Sequence, residues 1–472
     1  MQDIHKPTDY ESVSRQFVRY MDQTQTPNVV VVVVDALRPD VVTAETAPWM
    51  TNLAVSGVEF ERAFSPINAT EPLLASLYSG TYPATSGVYN HGTNLTERDI
   101  EVLDDLPFLQ ERFRAQGYET SAIDWLGNWH ESGYDQYSGK LDESTDQRDR
   151  DRSGGRRRSV PSALLEWSLD RAPPSLVSVF RRAYFQVSEP SVQAGGWLPD
   201  SADDVVDAAI DAVETGTSPT YTFVHFWDTH APYEVPDEYV QGDPDDPYDR
   251  YVGAVRFVDE QLRRLDERVD EATDRPTLYV VLGDHGESFG EHGIYFDHHG
   301  LYDATIHVPM ILSHPDLPAR TVDEFVQHVD IAPTLCDFLF DDPLPDVDGH
   351  SLLGTIRDGD PTRDAVIVEE AHTQRKAAIR TDRYKYIETV GDSAVCEGCH
   401  VVHGGERELY DLRSDPEERE NMIERSPETA ERLADRLDDW RSTHRTEHEA
   451  SADDREIVDA ELEQRLRDLG YR

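Results

Sequence analysis

The stretch VVVVVVDALRPD at residues 29 to 40 decides the fold. Six consecutive valines leave no polar residue to turn towards water, so they predict a strand buried on both faces, as at the centre of a parallel sheet. The run ends abruptly at Asp35. A second strand of the same kind, Leu278 to Leu282, runs into Gly283 and Asp284. Helical spacing of apolar residues over Asp203 to Val213 and Tyr251 to Val269 alternates with these strands, which predicts a doubly wound α/β sheet flanked by helices. Open sheets of this type bind ligands beyond the carboxyl ends of their strands, where Asp35 and Asp284 stand.

Working outward, 472 residues exceed what one core usually supports, so a large domain and a smaller one are expected. Residues 1–362 read as the catalytic α/β domain, interrupted by an insertion at about 141–200 that opens with a polar stretch rich in Arg, Asp and Ser. Residues 363–472 carry short strand candidates at Ala365 to Glu369, Ala377 to Arg380 and Tyr384 to Ile387, followed by charged helix. That pattern predicts a smaller C-terminal α+β subdomain. No internal repeat is visible.

The formal charge of −50 is spread along the chain, and Lys occurs only at positions 6, 140, 376 and 385. This composition resembles that of proteins from salt-loving archaea, describes an acidic folded surface, and excludes nucleic acid as a partner. One stretch is basic: residues 152–182 hold seven Arg against Glu166 and Asp170, interleaved with apolar residues such as Trp167 and Phe180. Two readings stand: a lid whose apolar side packs on the main domain, or a peripheral contact with anionic lipid. Met1 to Asn28 lacks an apolar stretch of signal-peptide length, which leads to the expectation of a cytoplasmic protein. Three cysteines form no disulfide framework. Cys396 and Cys399, with His400 and His403, make a weak zinc signal, and an ordinary loop is the preferred reading.

Chemistry at a phosphoryl or sulfuryl group calls for a divalent cation on hard oxygen ligands, with a nucleophile that the cation helps deprotonate. Asp35, Asp284 and His285 offer that ligand set at two strand ends. Singly, each has a bland reading as a cap or turn residue. Together at the ends of the two most strand-like segments, they favour a metal.

These residues also carry a resemblance. VVVVVVDALRPD at 29–40, LYSGTYPATSGV at 77–88, HAPY at 230–233 and GDHGESFGEHG at 283–293 are similar, in order, to the signature segments of sulfatases in the alkaline phosphatase superfamily. YVGAVRFVDEQL at 251–262, YDATIHVPMIL at 302–312, VDIAPTL at 329–335 and ELYDLRSDPEERENM at 408–422 extend the match. The resemblance implies an alkaline phosphatase/sulfatase-like fold and one divalent metal on Asp35, Asp284, His285 and the nucleophile. It favours Mn, Mg or Ca, with Zn also compatible.

The segment that supplies the nucleophile aligns with Thr70, Glu71, Pro72, Leu73 and Leu74, so Thr70 stands where sulfatases carry their formylglycine. Leu74 replaces the family's Arg, Ala36 its second Asp, and Asn128 and His298 two Lys residues. An aldehyde precursor, a carboxylate and three cations are therefore lost, while one metal site and a hydroxyl remain. Thr at this position resembles the phosphodiesterases and phosphoglycerol or phosphoethanolamine transferases of the superfamily, which implies a covalent phospho-threonine. His230 is the candidate for protonating the leaving oxygen, and His130 and His298 for holding other oxygens in place of the lost cations. Thr70 also reads as the N-cap of a helix starting near Pro72.

The expectation is a metal-dependent hydrolase or transferase of a phosphate or sulfate ester, glycan- or lipid-linked, with phosphodiester cleavage preferred. A sulfuric ester hydrolase of arylsulfatase type is the alternative, and a catalytically impaired binder of an anionic glycan or lipid the third reading.

Overall fold

The computed structural model describes residues 26–90, 97–124, 126, 128–138, 201–216, 218–233, 235–342, 344–370, 374–390 and 402–444. The insertion at 141–200 with its basic stretch, and Cys396, Cys399 and His400, lie outside the described residues.

The valine run forms β1 (Asn28–Val34), fully buried along its length. It pairs in parallel with β5 (Thr220–Phe226) on one side and β6 (Thr277–Gly283) on the other. Beyond β5 lie β3 (Glu119–Ile123) and β4 (Gln136–Ser138), both parallel. Beyond β6 lie β7 (Met310–Ser313), β2 (Val58–Phe60) and β8 (Arg320–Val322), completing an eight-stranded sheet in the order β8-β2-β7-β6-β1-β5-β3-β4. Only β7 runs against the rest, since it is antiparallel to both β6 and β2.

The valines explain the layers. Val29, Val31 and Val33 enter one hydrophobic core together with Leu73, Leu74 and Leu77 of helix α2 (Thr70–Ser79) and Ile331 and Leu335 of helix α5 (Ile331–Phe340). Val30, Val32 and Val34 enter the other, against helices α1 (Pro48–Ser56), α3 (Ala202–Thr215) and α4 (Pro247–Ala272). Period-two geometry sends successive side chains to opposite faces, so an unbroken apolar run feeds two cores at once. Burying six valines contributes on the order of 10 kcal/mol before conformational entropy is set against it, which makes the end of β1 a firm platform.

A separate antiparallel sheet follows: β9 (Ala365–Glu369), β10 (Lys376–Thr381), β11 (Tyr384–Thr389) and β12 (Arg407–Asp411). One face packs Ile367, Ile379, Tyr386 and Leu409 on Ala430, Leu433 and Leu437 of helix α6 (Pro427–His444). The other packs Val366, Val368, Ala378 and Ile387 on Phe64, Leu301, Tyr302 and Phe325 of the larger body. Buried ion pairs line this junction, one inside the small sheet and one reaching across it to Asp303. Lys376 Nζ donates to Glu408 Oε1 at 2.7 Å, to the His403 carbonyl at 2.8 Å and to that of Gly405 at 3.0 Å. Lys385 Nζ lies 2.5 Å from Asp303 Oδ1 and 2.7 Å from Glu418 Oε1. No helix among the described residues is long and apolar enough to cross a membrane.

Candidate metal centre

Three strands deliver side chains to one point. In the ladder Val34 pairs with both Phe226 and Gly283, so Asp35 emerges directly beside Asp284 at the carboxyl ends of β1 and β6. The Asp35 N–H extends the ladder to the Phe226 carbonyl at 2.9 Å. Ala36 then takes φ 54°, a left-handed conformation unusual for a residue with a Cβ, and its N–H donates to Asp284 Oδ1 at 2.9 Å. Asp284 Oδ1 also accepts the His285 N–H at 2.7 Å. Gly286 permits this close packing, because a Cβ there would sit 2.1 Å from the Ala304 carbonyl oxygen.

Asp35, Asp284 and His285 are fully buried, and their ligand atoms all lie within 4.8 Å of one another. His285 Nε2 is 3.4 Å from Asp284 Oδ2 and 3.7 Å from Asp35 Oδ1. Both Asp35 oxygens and Asp284 Oδ2 are buried without a hydrogen-bond partner among the described residues. Each has given up hydration without gaining a hydrogen bond, which is costly for a carboxylate. The donor set of two carboxylates and an imidazole therefore fits a divalent cation.

Thr70 Oγ1 reaches His285 Nε2 at 3.4 Å. The cap reading of this residue is corrected: α2 begins at Thr70 itself, the cap residue is Ala69, and no side chain caps the helix. The hydroxyl is thereby released from backbone work and faces the cluster. Leu74, one turn on, is buried in the hydrophobic core.

The histidines are held in a shared way. His285 Nδ1 donates to the Gly286 carbonyl at 2.9 Å, His230 Nδ1 to the Ala231 carbonyl at 2.7 Å, and His298 Nδ1 to the Asn68 carbonyl at 2.5 Å. A carbonyl only accepts, so each ring carries its hydrogen on Nδ1 and turns Nε2 outward as an acceptor. His298 stacks on His285 with centroids 4.0 Å apart, and His230 stacks on Trp227 at 3.9 Å. Burial, and then neighbouring His285, hold His298 well below the usual histidine range, and burial also lowers His230. In their neutral form these rings turn Nε2 lone pairs outward, so His298 would donate to a substrate oxygen there only when protonated.

His130 sits elsewhere. It packs on Trp129 and its Nδ1 lies 3.7 Å from Asp124 Oδ2, so its link to the cluster runs through Asp124 and His225. Those two residues escaped the sequence reading. Asp124 directly follows β3, the same strand-end signal that singled out Asp35. His225, near the end of β5, joins Asp124 Oδ1 through Nδ1 at 3.0 Å. Burial opposes a charge on His225, but the Asp124 and Asp35 carboxylates outweigh it and push its pKa up to about 10. Burial also opposes charge on Asp35, where His230, His225 and His285 prevail and lower its pKa. Asp284 is raised by burial and by Asp35 beside it. Glu287 is spoken for: it accepts from Tyr233 Oη at 2.9 Å and from the Ser288 N–H at 3.0 Å.

Residues 27–341 match the family described as Sulfatase. Residues 290–443 match that described as N-sulphoglucosamine sulphohydrolase, C-terminal. The chain is 26% identical over 213 residues to the Delta 4,5-hexuronate-2-O-sulfatase of Bacteroides thetaiotaomicron, which covers 41% of each protein, or about two fifths of that relative's length. It is 24% identical over 450 residues to the ulvan-active sulfatase of Formosa agariphila, 86% of this chain and 79% of that one. Among solved structures, the phosphonate monoester hydrolase of Agrobacterium radiobacter superposes with a TM-score of 0.64 at 21% identity, covering 89% of this chain and 96% of its own.

Proposed function

Since the chain belongs to the sulfatase family and is a hydrolase of ester bonds, we propose that it cleaves a phosphodiester through Thr70, with Asp35, Asp284 and His285 holding one divalent ion. The observation that carries this reading is the Thr70 hydroxyl, freed from capping and 3.4 Å from His285 within a cluster of partnerless carboxylate oxygens. The ion would supply Lewis acidity, lowering the pKa of a nearby hydroxyl and polarising the ester. Thr70 Oγ attacks phosphorus, forming the Thr–O–P bond as the bond to the leaving alcohol breaks. Thr70 gives its proton up to solvent, and His230, protonated at Nε2, donates a proton to the leaving oxygen. Water then hydrolyses the phospho-threonine and releases a phosphomonoester. Asp35 and Asp284 sit at the strand ends to hold the ion, and the stacked His298 and His285 rings keep bulk water from its buried side.

Phosphorus is preferred over sulfur because Thr70 has no route to an aldehyde and Leu74 leaves no guanidinium beside it. A second reading, a sulfate ester, is favoured by relatives named as sulfatases of hexuronate and ulvan. Under either reading a glycan- or lipid-linked ester is the substrate class, and residues 152–182 are offered as its peripheral contact.

A paired assay separates the two. Chelated protein is restored with Mn, Mg, Ca or Zn in high salt and offered an aryl phosphodiester and an aryl sulfate. Metal-dependent turnover of the diester that Thr70→Ala abolishes is the expected result. Turnover of the sulfate alone overturns the phosphorus reading, and metal binding without turnover of either restores the impaired-binder reading.

A further inference from the structure

The small sheet sends one side chain towards the metal centre that neither the fold nor the proposed chemistry uses. His403, shortly before β12, is about 6% exposed, and its Nε2 is buried without a hydrogen-bond partner among the described residues. Its ring centroid stands 5.9 Å from that of His299, which stands 6.0 Å from that of His298, itself stacked on the candidate ligand His285. Four imidazoles therefore run from the strand ends to the small sheet, and the last of them keeps an idle ring nitrogen.

The position of that ring is fixed from both sides. The His403 N–H donates to Gln374 Oε1 at 3.1 Å, and its carbonyl accepts from Lys376 Nζ at 2.8 Å. Gly404 follows at φ 70°, where a Cβ would strike Glu408 Oε1 and Tyr302 Oη, so the turn requires glycine. Across from it, Asp297 Oδ1 accepts the His298 N–H at 2.9 Å and lies 3.0 Å from His299 Nε2, which fixes a hydrogen on that nitrogen. The Asp297 charge also acts on His230 and His298, which puts it in the same centre. Holding the His403 ring this firmly with Nε2 unpaired costs desolvation with no hydrogen bond in return, and a bound hydroxyl would supply that bond.

We propose that His403 Nε2, with Asp297 and His299 beside it, forms a subsite for the alcohol portion of the ester and reads a hydroxyl group of a polyol there. A neutral imidazole nitrogen pairs with a hydroxyl as donor or as acceptor, and the Asp297 carboxylate disfavours a second anionic group at the same place. A site that hydrogen-bonds a hydroxyl rejects the analogue lacking it, because the buried nitrogen is then left unpaired. The inference rests on the reading that the ester group binds an ion at Asp35, Asp284 and His285. The competing occupant of the position beside Nε2 is a buried water.

Binding, not turnover, decides between them. Thr70→Ala protein loaded with Mn2+ is titrated calorimetrically with glycerol 1-phosphate and with ethyl phosphate, and both titrations are repeated with His403→Phe or His403→Gln added. The expected result is roughly tenfold tighter binding of glycerol 1-phosphate, a preference lost in His403→Phe and partly kept in His403→Gln. Equal affinity of the parent for both probes, or a preference that His403→Phe leaves intact, overturns the subsite and leaves the metal site standing. Binding of neither probe overturns both. Should His403→Phe fail to fold, ring-nitrogen magnetic resonance of the parent answers: a histidine ring that responds to glycerol 1-phosphate and not to ethyl phosphate supports the subsite, and identical responses overturn it.

Discussion

Buried charge is treated in opposite ways at the strand ends and at the junction with the small sheet. At the junction, Lys376 finds Glu408 and two carbonyls, and Lys385 finds Asp303 and Glu418. At the strand ends, Asp35 and Asp284 leave three oxygens with no hydrogen-bond partner among the described residues, facing only imidazole nitrogens at 3.4–3.7 Å. Both regions are equally shielded from water, so the difference lies in what each group is for. At the junction the ammonium groups touch their carboxylates, whereas at the strand ends the carboxylates face imidazoles across gaps wide enough for a cation.

The comparison breaks first at Asp284. Asp284→Asn keeps the Oδ1 that accepts from Ala36 and His285 but loses the charge facing the metal position. Metal-restored hydrolysis of the preferred ester should fall by roughly 10³-fold or more, with weakened metal uptake in a chelator competition. Retained activity would mean that the unmatched oxygens serve no ion. At the junction, Lys376→Met strands Glu408 and should cost about 3–5 kcal/mol in urea unfolding, with metal affinity nearly unchanged. A small loss there would show that the ion pair contributes little to holding the small sheet.

Acid probes the floor between the two regions. His328 is fully buried and donates from Nε2 to the Gly283 carbonyl, and burial lowers its pKa to about 4. The unfolded chain then takes up the proton first, so this contribution is complete above about pH 6.5 and is lost as pH falls towards 4. The loss reaches roughly 3 kcal/mol at 1.36 kcal/mol per unit. Denaturant melts across that window should show it, and His328→Gln should flatten it. The smallest effect sharpens the contrast most. Without metal, Asp284→Asn should raise stability by about 1 kcal/mol, because it removes a carboxylate whose pKa is raised and gives His285 Nε2 a donor.

What could be read from sequence followed from local periodicity. The valine run marked β1, and the polar residue ending each strongly apolar strand marked Asp35, Asp284 and His285. Asp124 obeys the same rule, but β3 reads ETSAI, too short and too polar to announce a buried strand. His225 lies within TYTFVHF and is tied to the site only through Asp124, a contact made by strand order. The tautomers of His230, His285 and His298 depend on the carbonyls of Ala231, Gly286 and Asn68, which the chain brings close only on folding. The start of α2 at Thr70 instead of near Pro72 likewise removed the capping role that the sequence had allowed beside the nucleophile role.

The two junction lysines have a practical consequence. Side chains of Lys376 and Lys385 are about 1% and 0% exposed, and the chain has only two other lysines. Acylating reagents therefore find these two amines shut away for as long as the small sheet stays docked. Modification at either position, read by peptide mapping, is a built-in chemical record of each occasion on which that sheet has lifted from the body that carries the metal centre.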